Sequence, residues 1–189
     1  MKSGHVGNRP AVEFPVCKTF QPAAGGALTP KRQPRLFKPL KETDYPLLED
    51  FLYEAIFVPE GVDPPPKSIV NTPELQVYIE NFGTQIHDKA LVAEIDNKVI
   101  GAVWVRIMND YGHIDDETPS FAISLYREYR GLGIGTDMMK AMLAILKDRG
   151  YKQASLAVQK ANYAVKMYRK VGFEIVGENG QEYIMIARI

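Results

Sequence analysis

Residues 127–143 read REYRGLGIGTDMMKAML. The residues before them, SFAISLY (120–126), have the apolar and aromatic character of a buried strand. The residues after them place Met139, Met142, Leu143 and Leu146 at i, i+3, i+4 and i+7, the period of one helix face. Between the two, Gly131, Gly133 and Gly135 alternate with other residues, and the spacing predicts a helix beginning near Thr136. A strand that turns through glycines into a helix brings backbone close to whatever lies beside it. The first helical turn carries unpaired N–H groups and a partial positive charge, which suits an anion and phosphate above all. Arg130 adds a full charge at the entrance to the turn. A tight turn that binds nothing would require fewer glycines.

Two familiar phosphate loops fail on the residues. G-x-G-x-x-G requires glycine at its sixth place, where Gly131–Thr136 ends in threonine, and no acid follows about 20 residues on. The P-loop requires a lysine after its last glycine, and Gly135 is followed by Thr136.

Working outward, RLFKPL (35–40) is a short strand and 42–57 a helix that Thr43 or Asp44 can cap, with Leu48, Phe51, Leu52 and Ala55 on one face. The loop 58–72 is stiffened by Pro64-Pro65-Pro66. Residues 73–82 read as a second helix with Gly83 as its left-handed stop. ALVAEI (90–95) and VIGAVWVRIM (99–108) form a hairpin around Asp96-Asn97-Lys98, and 111–119 is a polar loop. KQASLAV (152–158) is a strand. A helix capped by Asn162 runs to about 171, and the strands 173–177 and 181–189 flank a turn at Asn179-Gly180. The order β-α-α-β-β-β-α-β-α-β-β gives an α/β (α+β) fold: a mixed, mostly antiparallel sheet flanked by helices, with one parallel crossover between 120–126 and 152–158.

Charges balance over the chain, which disfavours a general nucleic-acid binder. Residues 1–40 hold Lys2, Arg9, Lys18, Lys31, Arg32, Arg35 and Lys38 against Glu13 alone, with six prolines and no sustained period. Residues 1–34 therefore read as a basic, Pro/Gly-rich, poorly packed arm ahead of a domain at 35–189. Its KRQPR cluster (31–35) is a weak signal for nucleic acid, and a solvated tail is the simpler reading. One cysteine, Cys17, provides no disulfide framework, and His5, His87 and His113 lack zinc spacing, so no metal is expected. No run of about 18 apolar residues suggests a membrane span, and no secretory signal opens the chain. A soluble cytoplasmic protein is the expectation.

Arg130-Gly131-Leu132-Gly133-Ile134-Gly135 resembles the Arg/Gln-x-x-Gly-x-Gly/Ala motif of the GNAT superfamily, the Gcn5-related N-acetyltransferases. ISLYREYRGLGIG (123–135) is similar to that family's strand and pyrophosphate loop. ANYAVKMYRKVGFEIVG (161–177) is similar to its later asparagine, tyrosine and Gly-Phe segment. The likeness in element order runs from Arg35 to Ile189 and leaves residues 1–34 without a counterpart.

The resemblance implies an acyltransferase domain using acetyl-CoA. Backbone amides of Gly131, Leu132, Gly133, Ile134, Gly135 and Thr136 would hold the pyrophosphate, with Arg130 opening the motif. The pantetheine arm would lie along Ile123, Ser124 and Leu125 as an added strand, between strands splayed by a bulge. Asn162 and Tyr168 match the later positions, with Tyr168 as general acid for the departing thiolate; periodicity alone would make Tyr168 a core aromatic. An amine of pKa about 10.4 needs a base. The family often places a glutamate where this chain has Ser120, so the base falls to Glu117, Asp115 or Asp116, with Glu117 the first choice. A strand amide near Leu125 would meet the oxyanion. Phe57, Tyr78, Trp104 and Tyr111 are shared between core and acceptor pocket, and the loop 58–72 is a candidate wall.

The function expected is acetyl transfer from acetyl-CoA to a primary amine, on a small molecule or a peptide, by direct attack in a ternary complex. The alternative is a non-catalytic acyl-CoA-binding or regulatory module. The family is often dimeric, so a homodimer is compatible with the resemblance.

Overall fold

The computed structural model describes residues 36–189. The expected arm and its KRQPR cluster lie outside them. Seven strands form one sheet: β1 (Leu36–Pro39), β2 (Lys89–Ile95), β3 (Lys98–Arg106), β4 (Ser120–Leu125), β5 (Gln153–Gln159), β6 (Phe173–Asn179) and β7 (Glu182–Arg188). Their spatial order is β1-β2-β3-β4-β5-β7-β6, and every pairing is antiparallel except β4 with β5. The α-helices are α1 (Leu47–Ala55), α2 (Pro73–Gln76), α3 (Ile134–Asp148) and α4 (Ala164–Lys170). This is the mixed, mostly antiparallel architecture expected from the element order.

Period-2 alternation divides the apolar residues between two faces. On one face α3 and α4 cover Phe121, Leu125, Leu156 and Met185, with Met138, Met139, Met142 and Leu146 turned inward from α3. On the other, α1 and α2 bury Leu48, Phe51, Leu52 and Leu75 against Val92, Ala102 and Trp104. Trp104 is fully buried and donates Nε1–H to the Tyr78 carbonyl at 3.1 Å. The same segment is anchored by a buried pair, Arg106 with Asp88 at 3.2 Å. Arg106 also donates to the carbonyls of Val77 and Glu80 and stands over the Phe82 ring.

Several local expectations are corrected. The first helix starts at Leu47, after a 3-10 turn at Glu42–Asp44, because Pro46 interrupts the run. Thr43 bonds to Asp44 instead of capping the helix. The second helix ends at Gln76, and a series of turns carries the chain on to Gly83, whose φ of 93° is left-handed as expected. α3 begins at Ile134, two residues before Thr136. The hairpin turn at Asp96-Asn97 has both residues at positive φ, the twist-matched geometry that asparagine and aspartate tolerate.

β4 and β5 meet at a single bridge, Ser120 opposite Ser155, and part beyond it. The expected splay is therefore present, but the expected bulge is not. β4 runs in unbroken register with β3 from Arg106–Ser120 to Gly101–Leu125, and the sheet's extra residues are Ile100 of β3, facing β2, and Val176 of β6.

Candidate active site

A cleft of about 300 Å³ opens where β4 and β5 part. Its walls come from the end of α1 and the two residues after it (Glu54–Phe57), from Ile123–Leu125, from the glycine loop and from α4. Gly131 and Gly133 adopt φ of 76° and 79°, a left-handed conformation costly for most side-chain-bearing residues other than asparagine and aspartate. Gly133 is the N-cap of α3, and no side chain caps that helix. Gly135 serves differently. A Cβ there would lie 3.2 Å from Met167 Sδ and 3.3 Å from Leu125 Cδ1, so its bareness lets α3 and α4 close on β4.

The hydrogen-bond ladder decides which strand groups face the cleft. Tyr126 N–H donates to the Ile100 carbonyl, and Ser155 N–H donates to the Pro119 carbonyl. Because an antiparallel strand alternates its bonding direction, the backbone groups of Ile123 and Leu125 turn toward the β5 side, while those of Ser124 are spent on β3. Ser124 Oγ, in turn, donates to the Phe51 carbonyl at 2.6 Å and fastens α1 to β4.

Arg130 does not stand as a loose charge beside the loop. Its Nε donates to the Leu125 carbonyl at 2.7 Å, and Nη2 donates to the Glu54 carbonyl at 3.0 Å and to Glu54 Oε2 at 2.7 Å. The guanidinium is a clamp joining strand end, loop and α1. Leu132 and Ile134 have side chains away from the cleft: Leu132 is exposed and Ile134 is in the core. Gly131, Gly133, Gly135 and Thr136 line it.

Asn162 Oδ1 accepts from Ala164 N–H at 2.8 Å; it stands one residue before the N-cap of α4, which is Tyr163 and not Asn162 as expected, and it also borders the cleft. The Tyr168 ring meets Phe173 edge-on at 6.1 Å, and the residue lines the cleft. Burial holds its phenol well above the ordinary range, so it is a neutral O–H donor at neutral pH.

Glu117 is exposed on the loop after β3, its backbone N–H donates to Asp115 Oδ1 at 2.9 Å, and neither it nor Asp115 nor Asp116 lines the cleft. The aromatics divide. Phe57 lines the cleft, Trp104 is core, and Tyr78 donates to Asp110 at 3.0 Å. In the loop 58–72, Val58, Pro64 and Pro65 border a small hollow next to the cleft rather than the cleft itself. Sequence reasoning missed Glu54, 76 positions from its partner Arg130, and Met167. Nothing in the linear pattern marks a contact of that separation. Among the described residues, no His, Cys, Asp or Glu gather as a metal site, and no helix is long and apolar enough to cross a membrane.

The model of the Acetyltransferase (GNAT) family matches residues 54–173, and the chain belongs to that family. It is 37% identical over 86 residues to "Probable N-acetyltransferase camello" of Xenopus tropicalis, covering 44% of this chain and 37% of that protein. It is 30% identical over 94 residues to an N-alpha-acetyltransferase of Sulfurisphaera tokodaii, covering 45% of this chain and 56% of that one. The chain thus spans less than two thirds of these curated relatives. In fold it is similar to the PaiA N-acetyltransferase of Thermoplasma acidophilum, solved in complex with coenzyme A. The TM-score is 0.62 at 18% identity, over 83% of this chain and 100% of that one.

Proposed function

We propose that the chain transfers an acetyl group from acetyl-CoA to a primary amine, by direct attack within a ternary complex. The observation that carries this reading is the inner edge of β4. The backbone groups of Ile123 and the Leu125 N–H are directed into a cleft that has the glycine loop at one end and Tyr168 along its wall, while the Leu125 carbonyl is held by Arg130. The amide-bearing pantetheine arm is suited to pair with such an edge as a strand would. Amides from Gly131 to Thr136 would hold the pyrophosphate at the start of α3, and Asn162 would border the cofactor from the other wall. An inward N–H of β4, from Ile123 or Leu125, would meet the oxyanion. Tyr168, kept protonated by burial, would give its proton to the departing thiolate. The domain at 35–189 would suffice for these steps, and the acceptor would be a small-molecule or peptide amine.

The test is release of free thiol from acetyl-CoA by the purified full chain, with a panel of primary amines and calorimetry of coenzyme A binding run alongside. Amine-dependent thiol release is expected. Cofactor binding with no release from any amine would leave a non-catalytic acyl-CoA-binding module. No binding at all would remove the site.

A further inference from the structure

On the acetyl-transfer reading, the amine must reach the thioester from the sheet face that the cofactor does not occupy, and it must shed a proton first. A primary ammonium with a pKa of about 10 keeps its proton at neutral pH.

On the α1/α2 face, beside the one bridge between β4 and β5, four side chains form a hydrogen-bonded chain. Tyr78 donates to Asp110 Oδ2 at 3.0 Å and Ser120 Oγ donates to Asp110 Oδ1 at 3.0 Å. Ser120 Oγ lies 3.0 Å from Ser155 Oγ. Asp110 is thus fixed by neutral donors, and among the described residues no lysine or arginine pairs with it. The loop that carries it crosses β5 so closely that a Cβ on Gly112 would lie 2.8 Å from the Ala157 nitrogen.

Glu182 opens β7 and stands opposite Gln159 of β5. Alternation puts Gln159 on the same face as Ser155, and directly opposed residues of an antiparallel pair share a face. Glu182 therefore shares the face that carries Asp110, at the end of β5 from which β4 has parted. It lies within electrostatic range of both Asp110 and Tyr78, and Tyr111 acts on Tyr78 from the same loop. The charge at that end of β5, Lys160, is already paired with Glu178.

We propose that Glu182 is the proton acceptor for the incoming amine, and that Asp110, fixed by Tyr78 and Ser120, is the positioning anion that draws the ammonium group to it. Burial first, and then the Asp110 charge, lift the Glu182 acid from 4.5 to about 7. It is therefore divided between its two forms where a general base is most useful. Burial also raises Asp110, against the pull of its hydrogen bonds. In the reaction, one N–H proton passes from the ammonium to the Glu182 carboxylate, giving a neutral acid and a neutral amine. The nitrogen lone pair forms the C–N bond at the thioester carbonyl, and the C–S bond breaks. The thiolate takes the Tyr168 phenol proton, and the surplus proton on nitrogen restores the phenol. Glu182 then returns its proton to solvent, so one proton is released per amide formed. Arg106, the cation opposite Ser120 on this face, is already held by Asp88, so the two carboxylates repel an acceptor whose amine adjoins a carboxylate. An amine with neutral neighbours is favoured, as in alaninamide over alanine.

The test uses the full chain, Glu182→Gln and Asp110→Asn, with acetyl-CoA, alaninamide, alanine and the most active amine of the panel. In the wild type, kcat/KM is expected to rise through a limb near pH 7. Glu182→Gln should remove that limb and lower kcat about a hundredfold at pH 7, with coenzyme A affinity unchanged by calorimetry. Asp110→Asn should move the limb to lower pH and raise KM for the amine. The carboxyl 13C resonance of Glu182, assigned by its loss in Glu182→Gln, should titrate near 7 in the wild type, a reading that needs neither an acceptor nor a folded Asp110 variant. Titration near 4.5, a limb that survives Glu182→Gln, or alanine used as well as alaninamide would each overturn the proposal. Loss of all thiol release from wild type, with the resonance still titrating near 7, would remove the acetyl-transfer reading and this role with it.

Discussion

The two faces of the sheet solve different problems with different kinds of residue. On the α3/α4 face the cleft is made by backbone: glycines at 131, 133 and 135, a helix start without a side-chain cap, and the inner edge of β4. On the α1/α2 face the chemistry-bearing groups are side chains, Tyr78, Asp110, Ser120 and Glu182, gathered from four separate parts of the chain. The backbone face suits a ligand of fixed shape, since main-chain donors cannot be exchanged by mutation. The side-chain face suits a variable acceptor.

The sharpest way to break this contrast is Gly133→Asp. It places a carboxylate beside the expected diphosphate in a left-handed position that aspartate tolerates. Coenzyme A affinity should fall about a hundredfold or more with an unchanged circular dichroism spectrum; unaltered calorimetric affinity would mean the loop binds no phosphate. Tyr168→Phe tests the wall between the faces. A thiolate leaves with little help, so kcat should drop about tenfold to a hundredfold while cofactor affinity holds, and an untouched rate would reduce Tyr168 to a packing partner of Phe173. Gly112→Ala pushes a methyl group into the β5 backbone, which cannot yield as a flexible side chain can. Denaturant melts should show about 1–3 kcal/mol lost, with kcat lowered more than cofactor affinity. The smallest effect is the most discriminating. If Arg130 is a clamp, Glu54→Ala should weaken coenzyme A binding about threefold, in step with Arg130→Ala. Tighter binding after Glu54→Ala would instead make Arg130 a phosphate cation that Glu54 had been masking.

What could be read from the chain follows the same division. The glycine loop, the α3 face and the Asp96-Asn97 turn rest on neighbours within a few residues, and local spacing carries that information. Asn162 at the start of α4 and Tyr168 on the same helix are legible for the same reason, although the cap itself falls one residue later, at Tyr163. The α2 region misled because its apolar residues keep a helical period, while the buried Arg106–Asp88 pair and the Tyr78 carbonyl bond hold the segment in turns. Glu117 looked suitable as a base because it precedes β4 in sequence. Asp110, seven residues earlier, reaches Ser120 only because the loop folds back over β5. The Arg130–Glu54 clamp likewise depends on tertiary packing, so the arginine's charge was visible and its neutralisation was not.

A sheet stitched through its middle by one bridge is two leaves, β1 to β4 and β5 with β7 and β6, sharing a hinge at Ser120 and Ser155. The long helix α3 carries the chain from β4 to β5 and packs on the first leaf, against β2, β3 and β4. A molecule that pairs with the inner edge of β4 fills the seam as an eighth strand would. Occupancy should therefore register as slower amide exchange in both leaves together, including residues that never touch the ligand.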